Sequence, residues 1–240
     1  MQIINKTSKN NMENNNYSIT DEKTITATFM SKVYSWMTLA LAITGFVAMY
    51  VASSQELLNI IFGTKYMFLG LIIVELGVVW YLSARVAKLS YSTAVAMFIL
   101  YSCLSGLTLS AVFILYTASS IASTFFITAG TFAVMSLAGF YTKKDLSGFG
   151  SIMMMGLVGV IIATLVNFFL KSEMLNYIIS YIGVMVFVGL TAYDTQKIKL
   201  MATQVDGENA KKASIMGALT LYLDFVNLFL YLLRVMGNRK

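Results

Sequence analysis

Long stretches without charge constrain this chain more than any other feature. Four runs of at least 20 residues contain no Asp, Glu, Lys or Arg, namely 33–55, 89–142, 146–170 and 174–193. Only 12% of the 240 residues are charged and 58% are hydrophobic, whereas soluble domains carry about 25% charged residues. A helix crosses a hydrocarbon core of about 30 Å with about 20 apolar residues. The sequence therefore predicts an integral membrane protein.

Seven helices account for almost the whole chain. The run 89–142 is too long for one crossing, and the small polar residues 117–120 are the natural turn between two. The predicted fold is an all-α membrane protein with seven transmembrane helices, at 33–54, 66–84, 91–115, 120–141, 148–170, 174–197 and 213–234. They make up a transmembrane domain over residues 28–237. A disordered polar tail is predicted over 1–27, and a short C-terminal tail over 238–240.

Lys and Arg residues predict the orientation. With a cytoplasmic N-terminus, 12 of them lie on the inner side and 5 on the outer side, as the positive-inside rule requires. A re-entrant last helix would make the split 15 to 2, but 213–234 is long enough to cross. The net charge of +6 follows from this distribution, so we expect the lipid bilayer as a partner and no nucleic acid.

The absence of histidine and the single Cys103 exclude several chemistries. Without imidazole there is no histidine metal ligand, no Ser-His-Asp triad and no histidine pH switch. One cysteine cannot form an internal disulfide. We therefore expect no required cofactor and no enzymatic activity of these kinds.

Ionisable residues within the predicted helices are few: Glu75, Asp194 and Asp224, with Arg85 at a helix end. A carboxylate at the centre of a membrane helix costs about 2.5–3.5 kcal/mol on insertion scales. Such residues usually pair with one another and indicate a functional site. The alternative is a paired or protonated residue that only packs.

The last two predicted helices place Asp194 and Asp224 at the same depth. They form a helical hairpin, and the midpoint between positions 194 and 224 is 209, next to the turn signal Asp206-Gly207. Each aspartate is 15 residues from that midpoint, roughly 20 Å along a helix. We expect the pair in the inner half of the membrane, but the sequence does not establish contact.

Two close carboxylates in a low dielectric share one proton and titrate as a unit. Asp194 and Asp224 are therefore the predicted proton sensor. The same oxygens, with backbone carbonyls and water, suit Ca²⁺, a hard cation. Arg85 lies near the same end of the bundle, and an Arg–carboxylate contact there would latch a pore until protonation weakened it.

Six segments resemble the Bax inhibitor-1/YccA family, nearest its bacterial branch: FMSKVYSWM (29–37), SGLTLS (105–110), FFITAGTF (125–132), TKKDLSGFG (142–150), GLTAYDTQKIK (189–199) and LYLDFVNLFLYLLRVMG (221–237). The resemblance implies that the last helix lies in the middle of two three-helix layers. It also implies a pH-sensitive calcium leak in the bacterial inner membrane.

The resemblance also implies roles for individual residues. Asp194 and Asp224 match the family's di-aspartyl sensor. Arg85 matches only loosely the arginine that latches to this sensor, and Glu75 falls at an acidic position that lines the permeation path. Ca²⁺ and protons are thus the expected small partners.

Two other functional classes stay open. Paired aspartates on adjacent membrane helices also occur in intramembrane aspartyl proteases, but Asp224 lacks the Gly-x-Gly-Asp context of that family, and the chain has no proline. A non-transporting regulator that binds another membrane protein, such as a membrane protease, is the other alternative.

Overall fold

Eight α-helices form the computed structural model of the chain. Their bounds are α1 (Gln2–Ser53), α2 (Gln55–Phe62), α3 (Lys65–Arg85), α4 (Tyr91–Leu115), α5 (Ala118–Tyr141), α6 (Ser147–Leu170), α7 (Glu173–Met201) and α8 (Gly207–Met236), with a short 3₁₀ helix at Val86–Lys88. The structure describes residues 2–240, with side chains for 22–64 and 66–240. Helix α1 thus starts before the predicted position 33 and includes residues 2–27 of the predicted tail, most of which are described without side chains, while the domain boundary at 28 stays a prediction.

Seven of these helices are long and apolar enough to cross a membrane, which confirms the predicted number. The protein is a multi-pass membrane protein. The eighth helix, α2, has eight residues and connects α1 to α3. The sequence analysis did not predict it, because eight residues are too few to produce a long apolar run.

Short polar side chains begin several of the helices where the turns were predicted. Thr117 accepts a hydrogen bond from the Ser120 backbone N–H (3.3 Å), and α5 starts at the next residue. Ser90 and Ser172 play the same part for α4 and α7, with N–H donors at 3.2 and 3.3 Å. These contacts satisfy backbone donors that the first helical turn leaves free.

The helices form two layers of three, and α8 lies between them. One layer has the order α3, α4, α1 and the other has the order α6, α7, α5, while α8 contacts α1, α4, α5 and α7. Half of the α8 span is buried, against 6% of the spans at α3 and α6. This arrangement confirms the architecture that the family resemblance implied.

Glycines bring α7 close to both neighbours in its layer. A Cβ on Gly139 of α5 would collide with backbone atoms of Ala192, and a Cβ on Gly150 of α6 would collide with the ring of Tyr193. Small residues allow such close approach between membrane helices. The segment of α7 just before Asp194 is thus held from two sides.

The C-terminal residues show that α8 crosses the bundle completely. The Thr117 backbone N–H donates to the Asn238 carbonyl (3.1 Å), and the Lys240 N–H donates to the Leu115 carbonyl (3.0 Å). These residues therefore lie at the turn between α4 and α5, at the opposite end of the bundle from the α7–α8 loop. The re-entrant alternative is wrong, while the cytoplasmic position of the N-terminus stays a prediction.

Candidate functional site

Asp194 of α7 and Asp224 of α8 meet at the interface between these helices. Their side chains lie close enough to interact directly with each other. Asp224 is only 4% exposed, and Asp194 is half-buried. Two carboxyl groups share a hydrogen bond only when one of them carries a proton and donates it. The structure thus brings together the pair whose contact the sequence left open.

One oxygen of this pair stands out. Asp224 Oδ2 is buried and has no hydrogen-bond partner among the described residues. A buried carboxylate oxygen without a donor costs free energy. It is therefore the atom of the pair best placed to receive a proton or a cation.

The turn that positions the pair differs from the predicted one. Asp206 precedes the first residue of α8, and Gly207 has a φ of +52° that favours glycine. The predicted turn residues 206–209 thus begin α8, six residues earlier than the predicted start at 213. Helix α7 also continues to Met201, beyond the predicted end at 197. The connection is shorter than expected, yet the two aspartates still meet.

Hydroxyl groups link the neighbourhood of the pair to α5 and α1. Thr195 follows Asp194 and shares a hydrogen bond with the Ser136 hydroxyl (3.0 Å). Ser136 also bonds the Tyr34 hydroxyl. In contrast, Thr220 and Asn227 of α8 donate to carbonyls of their own helix.

A lysine, not Arg85, is the cation beside the pair. Lys197 lies one turn after Asp194 and is close enough to act on it electrostatically. Its Nζ is 5.9 Å from the centre of the Tyr193 ring. The sequence analysis missed Lys197, although its i+3 spacing from Asp194 was a usable signal.

Arg85 is exposed at the end of α3 and, among the described residues, forms no ion pair with either aspartate. The physical reason is the layer order, because α3 packs on α4 at the edge of its layer, away from α7. The structure does not bring Arg85 to the pair, and the latch stays a prediction for another conformation.

Glu75 occupies a separate polar site on the other side of α8. It accepts hydrogen bonds from the hydroxyls of Ser105 and Thr108 of α4, the latter at 3.0 Å. It lines a cavity of about 430 Å³ between α3, α4 and α8, which Asn227 and Arg234 of α8 also line. This cavity lies toward the end of the bundle that carries the α4–α5 turn.

Two residues of α7 hold the end of α5 and the α5–α6 loop in place, and sequence reasoning missed both. Gln196 accepts a hydrogen bond from the Leu146 N–H and donates to the Lys144 carbonyl, each at 2.8 Å. Lys199 donates to the Phe140 carbonyl at 2.7 Å. The turn of α7 that follows Asp194 is therefore fixed to this loop.

The carboxylates do not form a preassembled metal cage. No group of three or more His, Cys, Asp or Glu suitable for a metal occurs in the part of the chain described with side chains. Ca²⁺ takes six to eight oxygen ligands, so most ligands at the aspartate pair would be carbonyls and water.

The sequence match decides the family. The family model for "Inhibitor of apoptosis-promoting Bax1" matches residues 26–240. The chain belongs to the Bax inhibitor-1/YccA family. The resemblance stated from the six sequence segments is thus confirmed over most of the chain.

Curated bacterial relatives agree with the family assignment. "Inner membrane protein YbhL" of Escherichia coli (strain K12) is 56% identical over 216 residues, which is 89% of this chain and 92% of that protein. An uncharacterized protein of Borreliella burgdorferi is 46% identical over 214 residues, covering 88% and 92%. "Uncharacterized protein RP147" of Rickettsia prowazekii is 46% identical over 215 residues, covering 88% and 90%.

Proposed function

We propose that this family member is a pH-sensitive calcium leak pathway of the bacterial inner membrane. The observation that carries the proposal is the close approach of Asp194 to the buried Asp224 inside the bundle. The placement in the inner membrane rests on the name of the Escherichia coli relative. The proposed function is transport and not catalysis.

A path across the bundle would use two polar sites. The cavity lined by Glu75 supplies carboxylate and hydroxyl oxygens on one side of α8. The aspartate pair supplies oxygens on the other side. Leu223 and Val226 of α8 line the same cavity and form an apolar barrier next to Asp224. In the proposed pathway, this separation of the two sites is the closed state.

The shared proton would control this barrier. While it is present, the hydrogen bond holds α7 to α8. Without it, two full charges about 3 Å apart repel by about 5 kcal/mol at an effective dielectric constant of 20. That repulsion is relieved when the helices separate or when a cation binds. Protons and Ca²⁺ thus compete for the same carboxylate oxygens.

Calcium flux into proteoliposomes at pH 6, 7 and 8 tests the proposal. We expect pH-dependent flux in the unmodified chain. Asp194→Asn and Asp224→Asn should flatten the pH dependence, because an amide donates a hydrogen bond at every pH. Asp145→Asn is the matched control, since this exposed aspartate lies in the α5–α6 loop, where it accepts a hydrogen bond from the Ser147 N–H (2.9 Å).

Several outcomes would contradict the proposal. Flux equal to that of empty liposomes at every pH would favour the non-transporting regulator. Cleavage of a model membrane peptide, abolished by either aspartate substitution, would favour the protease. Arg85→Ala tests the latch separately, and an unchanged pH profile in that variant would restrict pH sensing to the aspartates.

A further inference from the structure

A long apolar groove runs between α1 and α5 on the lipid-facing side of the bundle. Its volume is about 920 Å³, and Phe225 of α8 forms part of its floor. Along α1 it extends from Ala27 to Gly45, 18 residues or about 27 Å. This length is close to the thickness of a hydrocarbon core. We call it the α1–α5 groove.

Mainly apolar side chains line the walls of the α1–α5 groove. Small residues such as Ala42 and Ala133 keep it open. Its hydroxyl groups include Tyr34 and Ser136, which bond each other, and Ser136 also bonds Thr195. An occupant therefore meets a surface whose main polar groups are already engaged.

The groove continues inward as a narrower apolar pocket beside α8. This inner pocket has a volume of about 110 Å³ and shares Leu41, Gly45, Phe125 and Phe225 with the groove. A transmembrane helix has a diameter of about 10 Å and cannot enter such a space. A single flexible hydrocarbon chain can fill both compartments.

The groove opens at the end of the bundle that carries the α5–α6 loop, and we call this opening the mouth. Three lysines lie near the mouth. Lys23 lies one turn before Ala27 on the groove face of α1. Lys143 lies two residues after the end of α5. Lys199 places its Nζ 4.8 Å from the centre of the Phe140 ring, which lines the groove.

Two acidic residues near the mouth, Asp145 and Glu22, lie away from the groove face. The hydroxyl and the backbone N–H of Ser147 hold the pKa of Asp145 below its usual value, so this carboxylate stays charged but faces the start of α6. Glu22 lies one turn before the buried Thr26, on the core side of α1. The mouth therefore keeps an excess of positive charge toward the groove.

We propose that the α1–α5 groove is a binding site for an anionic phospholipid. One acyl chain lies along the groove and ends in the inner pocket against Phe125 and Phe225. The phosphate group lies at the mouth, near Lys23, Lys143 and Lys199. Each basic residue near an anionic headgroup adds attraction at the membrane surface. The lipid would thus contact the residue that directly follows Asp224.

Native mass spectrometry of the purified full chain tests this site, with palmitoyl-oleoyl phosphatidylglycerol and the matching phosphatidylcholine as probes. We expect one retained phosphatidylglycerol, bound at least threefold more tightly than phosphatidylcholine. Gly45→Leu should weaken retention about tenfold, because its side chain would enter the groove. Gly130→Leu is the matched control: at both glycines an added Cβ meets open space, but Gly130 does not line the groove.

A second measurement locates the lipid without any substitution in the groove. Phosphatidylglycerol with a photoreactive acyl chain should label peptides from α1 and α5 of the unmodified chain. Lys23→Gln combined with Lys143→Gln should lower phosphatidylglycerol retention to the level of phosphatidylcholine.

Equal retention by Gly45→Leu and Gly130→Leu, or labelling spread evenly over all helices, would overturn the proposal. Equal binding of the two lipids by the unmodified chain would overturn the assignment of the basic mouth. A dimer or a co-purified membrane protein that Gly45→Leu releases, with lipid retention unchanged, would assign the groove to a partner helix instead.

Discussion

Replacing Gly139 by Ala tests the contact that positions Asp194. The three atoms nearest to an added Cβ all belong to the backbone of Ala192, so no side chain can rotate away and α5 must move from α7. Overpacking costs about 1–3 kcal/mol, and a backbone collision belongs at the upper end. The gain in helix propensity of about 1 kcal/mol offsets part of this cost. We expect a net loss of about 2 kcal/mol.

Gly130→Ala is the matched control on the same helix. An added Cβ meets nothing within 4 Å there, so only the propensity gain of about 1 kcal/mol remains. The two variants should differ by about 3 kcal/mol, or roughly 6–12 °C in the midpoint of thermal unfolding. Circular dichroism of both variants in the same detergent measures this difference.

The effect of Gly139→Ala on calcium flux distinguishes a displaced Asp194 from a general loss of stability. Displacement of α7 at Ala192 shifts Asp194, two residues later, away from Asp224. Gly139→Ala should therefore also flatten the pH dependence of calcium flux, while Gly130→Ala should leave it unchanged. A Gly139→Ala midpoint equal to or above that of Gly130→Ala would refute the close packing of α5 on α7.

Two further predictions concern hydrogen bonds that the structure describes. Gln196→Ala removes both 2.8 Å bonds to the α5–α6 loop, so amide hydrogen exchange over residues 142–147 should accelerate about thirtyfold, at about 1 kcal/mol per bond. Unchanged exchange would show that other contacts hold the loop. Ser105→Ala removes one of two hydroxyl donors to Glu75 and should destabilise the protein by about 1–3 kcal/mol. Thermal unfolding measures this loss. The control Ser119→Ala, at the exposed start of α5, should cost less than about 0.5 kcal/mol.

The aspartate pair could be predicted because the position of a residue along a membrane-spanning helix determines its depth in the membrane. Charge-free runs define the spans, and a hairpin makes positions on its two arms comparable in depth. The turn itself was misplaced: Asp206 is also a favourable residue before a helix, and here it precedes α8 instead of forming the middle of the loop. The pairing survived this error because contact depends on the depth and facing of the two helices, and not on the length of their connection.

The position of Arg85 could not be predicted in the same way. The sequence placed it at the correct end of the bundle, but depth carries no information about which helices are neighbours. The order α3, α4, α1 puts α3 at the edge of its layer, and the residues after Arg85 meet α8 near its start, where Lys212 donates to the Ala87 carbonyl, about three helical turns before Asp224. The proximity of Lys197 to Asp194 could have been predicted, because both residues lie on α7 and their i, i+3 spacing places them on the same side of the helix.

The central position of α8 connects the aspartate pair with the opposite layer. Tyr222 and Asp224 are two residues apart, or about 200° around the helix, so they point toward different layers. The fully buried Tyr222 shares a hydrogen bond with the Thr44 hydroxyl of α1 (2.8 Å), while Asp224 meets α7. A movement of α8 that separates Asp224 from Asp194 must therefore also strain the Tyr222–Thr44 bond. Since buried polar groups are costly to leave unpaired, loss of the shared proton at the pair would act on both layers at once.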